Sequence, residues 1–504
     1  MIRMPPAARP ERRLRIAFVA SEVEPWFKTG GLADVVDALA RALGRAGHAV
    51  DVFLPAYRHV RRPPGLERSA LAVPVADPGR HDEGDVASVD ILAARADGYR
   101  LRLVEHPFSF DREGAYGKGG ADYADNGFRF ALFCRAVLEA VRADGRPLDV
   151  LHAHDWQGAL AVVYRDALYG SDPVVGPAAT VLTIHNLAYH GWVPRERRGP
   201  LMLPEETYGD AFGVDLLREG IRAADLVTTV SPTYAREALT PESGMGLDGD
   251  LRARGDRFVG IMNGLDTELW DPATDAALPV RYALVADPGR GVAEVAAGKA
   301  AAKADLVDRH GLDLATEAPL LGLVGRLDPQ KGFDLLTAAA PAILGSGARL
   351  VVLGSGHAEL VAGLRALAAA RPGRIAVVER FDRDEARRIY AGSDLFLMPS
   401  RFEPSGQGQL IAFRYGTPVI ARRTGGLADS VADADADPER GNGFVFDAAS
   451  PEAFAAATRR ALAWWAEADR WSRLRARVMA LDHSWAVPAR AYLDAYRGAM
   501  ALRR

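Results

Sequence analysis

Leu14-Arg-Ile-Ala-Phe-Val-Ala-Ser-Glu-Val-Glu-Pro-Trp-Phe-Lys-Thr-Gly-Gly-Leu-Ala-Asp34 begins as a strand-sized apolar run and ends on a glycine pair that opens a helical pattern, Leu32–Leu43. Glycines after a strand let the backbone approach a ligand closely, and the helix behind them presents N–H groups that suit an anion. The stretch has neither G-x-G-x-x-G nor the Gly-Lys-Ser/Thr ending, so it is neither a dinucleotide fingerprint nor a P-loop. Its hexapeptide Thr29-Gly-Gly-Leu-Ala-Asp34 recurs unchanged as Thr424-Gly-Gly-Leu-Ala-Asp429. One copy falls early in the first half and the other late in the second, so a tandem duplication does not account for the pair. Two such loops suggest backbone amides on two sides of one cleft.

Outward from this stretch, short β-branched runs alternate with amphipathic ones. Strand candidates are Leu14–Ala20, Ala49–Leu54, Leu101–Glu105, Val150–His154, Thr180–His185 and Leu226–Val230. A second series holds Leu320–Leu327, Arg349–Leu353, Ile375–Glu379, Leu395–Met398, Pro418–Ala421 and Phe444–Phe446. Helical patterns such as Phe128–Val141, Phe333–Leu344 and Ala358–Ala370 lie between them. Alternation of this kind predicts α/β domains with parallel sheets covered on both faces. A chain of 504 residues is too long for one core. The turn-rich Trp270-Asp-Pro-Ala-Thr-Asp275 marks a boundary between Asp266 and Val285. Two doubly wound, Rossmann-like domains follow, with ligands expected beyond the carboxyl ends of their strands.

The balance of 62 basic and 66 acidic residues, net charge −4, argues against a nucleic-acid binder. No apolar run is long enough for a membrane span, so no membrane partner is expected. The single cysteine, Cys134, lies in an apolar helical pattern and reads as a small buried side chain rather than a nucleophile. One cysteine excludes an intrachain disulfide framework and fits a cytoplasmic protein. The Pro- and Arg-rich Met1–Arg13 reads as a frayed end. Oligomeric state is left open.

Only five of the 62 basic residues are lysines, yet Lys28 precedes one Gly-Gly loop and Lys331 lies in Gly325-Arg-Leu-Asp-Pro-Gln-Lys-Gly332. Lysine is a compact point charge, and arginine grips a phosphate with two parallel hydrogen bonds. Arg326 and Lys331 together can neutralise a departing diphosphate, the task a bound metal would otherwise perform. In Met398-Pro-Ser-Arg-Phe-Glu-Pro-Ser-Gly-Gln-Gly-Gln-Leu410, a strand ends, Glu403 is set toward the cleft, and a turn leads into a helix start. No metal is expected. The acidic run Asp433-Ala-Asp-Ala-Asp437 reads as a solvated turn, and His152 and His154 lack a third ligand at zinc spacing.

Eight segments in order resemble the motif series of bacterial glycogen synthases and plant starch synthases. They are Lys28-Thr-Gly-Gly-Leu-Ala-Asp, His152-Ala-His-Asp-Trp156, His185-Asn-Leu-Ala-Tyr, Val230-Ser-Pro-Thr-Tyr234, Asn263-Gly-Leu-Asp266, Gly325-Arg-Leu-Asp-Pro-Gln-Lys-Gly, Pro399-Ser-Arg-Phe-Glu-Pro and Arg423-Thr-Gly-Gly-Leu-Ala-Asp. The resemblance implies a GT-B fold with a cleft between two domains. It implies an acceptor-side domain over 14–268, a donor-side domain over 269–484 and a closing helix over 485–504 packed back on the first. It implies retaining transfer of glucose from ADP-glucose to the non-reducing 4-hydroxyl of an α-1,4-glucan such as glycogen, without a cofactor. By the same resemblance Lys28, Gly30 and Gly31 approach the donor phosphates or the nascent bond. Arg326 and Lys331 neutralise the diphosphate, Glu403 holds the donor glucose, His154 lies beside the reacting sugar and Asn263 binds it. Asp125 stands as the cleft aspartate. Ser405, Gly406, Thr424, Gly425 and Gly426 join the donor site.

Three departures stand out: Ser405 replaces the family's usual Cys, Gln407-Gly408 replaces Leu and a small hydroxyl residue, and His190 stands where Gln is common. The second pair bears on donor preference. Alternatives are another nucleotide-sugar transferase, with UDP-glucose or a small acceptor, and a non-catalytic glucan-binding relative.

Overall fold

The computed structural model describes residues 12–74, 86–285, 288–313 and 318–503. Met1–Glu11, most of the Pro- and Arg-rich end, lie outside the described residues. The chain forms two compact units. The first holds Met1–Thr229, Ala238–Ile261 and Trp485–Arg504; the second holds Val230–Glu237 and Met262–Ser484.

The first unit is built on a nine-stranded sheet. Its order is Phe258–Gly260, Leu226–Thr229, Ala179–Ile184, Val150–His154, Arg15–Val19, Ala49–Pro55, Arg100–Glu105, Val86–Arg95 and Glu67–Pro74. The first seven pair in parallel, and the last two are added antiparallel. Every residue of Arg15–Val19 is buried, as a continuous apolar run covered on both faces must be. The edge strand Glu67–Pro74 is mostly exposed, which is why no apolar run announced it. Chain order reverses between Arg15–Val19 and Val150–His154, which pair with Phe18 opposite His152. Helix Gly31–Arg45 buries Leu32, Val35, Val36, Leu39 and Leu43, one face at helical spacing. Helix Asn126–Ala143 is buried from Asn126 to Val141, its Arg129, Arg135 and Glu139 included, with Cys134 inside it. The last helix, Ala486–Ala501, packs against Ala179–Ile184 and Gly31–Arg45 and sends Tyr492 and Tyr496 into the core.

The second unit has a six-stranded, wholly parallel sheet in the order Ile375–Val378, Arg349–Leu353, Leu320–Val324, Leu395–Met398, Val419–Arg422 and Gly443–Phe446. Here the order reverses between Leu320–Val324 and Leu395–Met398. The two doubly wound sheets read from the alternation are therefore present, and each has one switch point where ligands of such folds bind.

Candidate active site

At the second unit's switch point two loops leave adjacent strands. After Leu320–Val324 the chain turns at Pro329–Lys331, where the Asp328 carboxylate accepts from Lys331 N at 3.1 Å. Gly332 has φ 68°, and a Cβ there would lie 2.1 Å from the Pro399 carbonyl oxygen. Only glycine lets the two loops meet backbone to backbone. Arg401 N donates to Gln330 O at 2.7 Å and the Gln330 amide donates to Phe402 O at 3.3 Å. This stitching sets the Lys331 ammonium 2.5 Å from Oε2 of Glu403, which also accepts from Ser400 Oγ at 2.9 Å. Glu403 is buried and Lys331 partly exposed. Arg326, at the same strand end, is more than half exposed and 3.7 Å from the Asp328 carboxylate.

The second glycine loop closes on the same segment. A Cβ on Gly425 (φ 44°) would lie 2.0 Å from Glu403 O, and one on Gly426 would lie 2.0 Å from Ser405 O. Gly426 N donates to Glu403 O at 3.0 Å, while Glu237 accepts from Gly425 N at 3.0 Å and from the Thr424 hydroxyl. These glycines thus admit the protein's own backbone, and the Gly425 amide is already satisfied by a carboxylate. Ser405 Oγ and Asn263 Oδ1 are buried with no hydrogen-bond partner among the described residues. Gly406 adopts φ 70° under the Gln409 amide, whose nitrogen ties Ser405 O, Gly406 O and Ser430 Oγ together. Beyond Ile375–Val378, Phe381 is the most exposed large apolar side chain of the described residues, at 80%.

In the first unit Lys28 Nζ lies 2.5 and 2.7 Å from the two carboxylate oxygens of Asp34. Glu22 accepts from Gly30 N at 2.9 Å and from the Thr29 amide and hydroxyl, and Tyr116 donates to it at 2.7 Å. A Cβ on Gly30 would meet nothing within 4 Å. Gly31 starts the helix behind it. The two identical hexapeptides are therefore not equivalent: the first borders open space and the second is filled.

Asp125 sits before helix Asn126–Ala143, in a two-pronged ion pair with Arg112 at 2.6 and 2.7 Å. Burial alone would raise its pKa, but the Arg112 guanidinium, with help from Arg129, holds it below the usual value. His154 ends strand Val150–His154 and is fully buried, its Nδ1 3.1 Å from Nε2 of His185. His185 itself is partly exposed. Burial pushes His152 and His185 down to about 3 and His154 well below its ordinary value, so all three rings are neutral near pH 7.

Next to His154, Asp155 has φ 53°, rare for a non-glycine residue. Its Oδ1 accepts from His185 N at 2.6 Å, and burial pushes its carboxyl up to about 7 against the backbone donors of His185 and Asn186. Strain held in place by packing at a switch point is a mark of function. Asp155 and His185 both lie inside quoted motifs, but alternation along a strand end does not reveal that the Asp155 carboxylate bonds His185 N. Among the described residues no group of three or more His, Cys, Asp or Glu side chains is arranged to hold a metal. Asp433 and Asp435 of the acidic run are instead paired with Arg460, and Asp437 with Arg440.

Residues 15–253 match the family described as "Starch synthase catalytic domain", and residues 307–476 match "Glycosyl transferases group 1". The chain is 44% identical over 490 residues to a glycogen synthase of Anaeromyxobacter dehalogenans, covering 96% of this chain and 99% of the relative. It is 41% identical over 495 residues to a glycogen synthase of Geotalea daltonii, covering 97% and 99%. Among solved structures, the catalytic domain of starch synthase IV from Arabidopsis thaliana bound to ADP and acarbose superposes with TM-score 0.87 at 33% identity, covering 97% of this chain and 100% of that one. No helix of the described residues is long and apolar enough to cross a membrane.

Proposed function

The chain belongs to the glycogen synthase and starch synthase family of glycosyltransferases, and on that premise we propose that it transfers glucose from ADP-glucose to the non-reducing 4-hydroxyl of an α-1,4-glucan, with retention, releasing ADP. The observation that carries this reading is the Lys331–Glu403 pair at the second sheet's switch point. Two stitched loops hold a cation and a carboxylate where an open α/β sheet takes its ligand.

The second unit is assigned the donor. Lys331 and Arg326 take the diphosphate, where negative charge grows as the glucosyl bond breaks. Fixed cations there stabilise the transition state by a few kcal/mol each, with roughly 3 kcal/mol typical of one oriented donor. The buried Glu403 carboxylate accepts from donor glucose hydroxyls and orients the ring. Asn263 and Ser405, whose buried side-chain oxygens have no hydrogen-bond partner among the described residues, suit further sugar or phosphate contacts. Gly406 and the Thr424–Gly426 loop shape that pocket by bringing backbones together. Phe381 offers an exposed ring face to a base.

The first unit is assigned the glucan. Lys28 with the Gly30–Gly31 loop approaches the donor phosphates or the bond being formed, and the open space over Gly30 supports this. His154 lies beside the reacting sugar and Asp125 near the sugars, with the neutral His185 and the strained Asp155 next to His154. A retaining hydrolase needs two flanking carboxylates. The leaving diphosphate needs little acid help, so the diphosphate itself serves as base on the face it departs from. The lone buried cysteine supports a cytoplasmic setting.

Release of ADP from ADP-glucose, measured with and without glycogen, tests the proposal. Glucan-dependent release is expected. Competition with UDP-glucose decides the donor: faster turnover of UDP-glucose replaces ADP-glucose in this reading, and no release from either makes the chain a glucan-binding relative.

A further inference from the structure

The chain's five lysines include one, Lys299, that is only 2% exposed, in helix Pro288–His310 of the second unit. Its Nζ lies 2.6 Å from Ala391 O, 2.6 Å from Thr417 Oγ1 and 3.2 Å from Tyr415 O. Ala391 belongs to the last turn of helix Arg383–Gly392, and Tyr415 follows helix Gly408–Arg414. Carbonyls at such ends lack partners within the helix, and the helix dipole is negative there. The same Tyr415 O accepts from the Tyr282 hydroxyl at 2.9 Å. The other charged groups that face Lys299 are Arg475, Asp394 and Lys303, and both of these cations pair with Asp394, at 2.6 and 2.7 Å.

These contacts bear on the charge of Lys299. The Thr417 hydroxyl donates its own proton to Tyr390 O at 2.6 Å, so toward Lys299 it accepts. The two carbonyls also accept. Three acceptors require three N–H groups, which an ammonium has; a neutral amine has two, and its lone pair would face an oxygen. Burial and the nearby Arg475 pull the pKa well below the usual lysine value. Hydrogen bonds to the charged form oppose that pull, as do the negative ends of the two helices.

Helix Gly408–Arg414 has its other end at the candidate site. Glu403, Ser405 and Gly406 lie just before its first residue, and Gln409 to Phe413 are buried within it. A packed rod about 10 Å long thus joins the Lys299 contacts to the Glu403 loop. We infer that Lys299 is a positioning residue of the donor side: its ammonium ties the carboxyl ends of two helices together and thereby holds the Glu403–Gly406 loop in place. The charge and the tie stand on geometry alone; only the loop's ligand, the nucleotide-sugar donor, rests on the function proposed above.

Full-length protein labelled with 15N-lysine gives five Nζ signals, and Lys299→Met identifies one of them by its loss. An ammonium signal for Lys299 at pH 7 is expected. Lys299→Met keeps an apolar stem of similar length and removes every donor. It is expected to speed amide exchange at Ser405–Gln407 about tenfold relative to strand Leu320–Val324, the worth of a hydrogen bond to a charged group. It should also raise KM for ADP-glucose about tenfold with KM for glycogen unchanged. A role in stability alone would speed exchange throughout the second unit and leave both KM values where they were. Should Lys299→Met fail to fold, Thr417→Val removes one acceptor and is expected to give the same changes at about threefold. An amine signal at pH 7 overturns the inference, as does exchange that rises equally in loop and strand, or a KM for ADP-glucose that stays at the wild-type value. An ammonium and a loosened loop, with no ADP release by the wild type, sink the glucosyl-transfer reading and leave the positioning of the loop intact.

Discussion

The Lys331 ammonium reaches Oε2 of Glu403 at 2.5 Å although 72 positions separate the two residues in sequence. Their loops leave neighbouring strands at the point where the sheet reverses its order. Removing Lys331 takes away the cation proposed for the diphosphate and also strands a buried carboxylate. We expect Lys331→Ala and Glu403→Ala each to lower kcat by about two to three orders of magnitude. The double variant should lose far less than the product of the two effects, because the residues act as a unit. Steady-state ADP release from all three proteins checks this; full additivity would separate their roles.

The twin hexapeptides give a contrast that needs no substrate. Gly30→Ala adds a methyl group into open space at φ −149°, so its melting temperature should stay at the wild-type value. Gly425→Ala and Gly426→Ala would drive a Cβ to 2.0 Å from a carbonyl oxygen, and Gly425 has φ 44° besides. Each should cost more than about 2 kcal/mol, seen as an earlier urea midpoint. Equal stability of all three variants would contradict the packing described.

Asp155 gives the pH dependence a sign. Its folded pKa is raised to about 7 by burial, so the folded chain holds a proton that the unfolded chain has released. Stability from this group is thus greatest at low pH and falls as pH climbs from about 4 to 7. Asp155→Asn, which keeps the left-handed backbone accessible, should flatten that decline between pH 5 and 8 in thermal melts. It should also remove an inflection near neutrality from the kcat–pH profile.

Phe381, 80% exposed, contributes little to the core. Phe381→Ala should leave the melting temperature unchanged and raise KM for ADP-glucose. Stacking of a base on an aromatic ring is worth about 1–3 kcal/mol, so the rise should be at least about fivefold. An unchanged KM would remove Phe381 from the donor site.

Apolar runs such as Ile16–Val19 and Leu320–Val324 were legible because both faces of a central parallel strand are covered, which leaves no polar alternation to confuse the pattern. Glu67–Pro74 was not, because an exposed edge strand carries no such run. The charges of Lys331 and Glu403 and the backbone freedom of the Gly-Gly loops could be read from residue type. Their contacts could not. Nothing local marks Val230–Glu237 as part of the second unit, where Glu237 caps Gly425 N and Asp429 in turn accepts from Thr233 N at 2.7 Å.

By itself, then, the sequence determined which elements form and which groups carry charge, because burial periodicity and side-chain chemistry are local properties. Only the tertiary structure decided that one Thr-Gly-Gly loop faces open space while its identical twin is packed shut. It alone decided that His154 is fully buried while Asp155, in a left-handed conformation, accepts from His185 N. Those outcomes depend on which backbone lies across the way, at Glu403 and Ser405 or at nothing at all, and a residue's partners across a fold are not written in its neighbours along the chain.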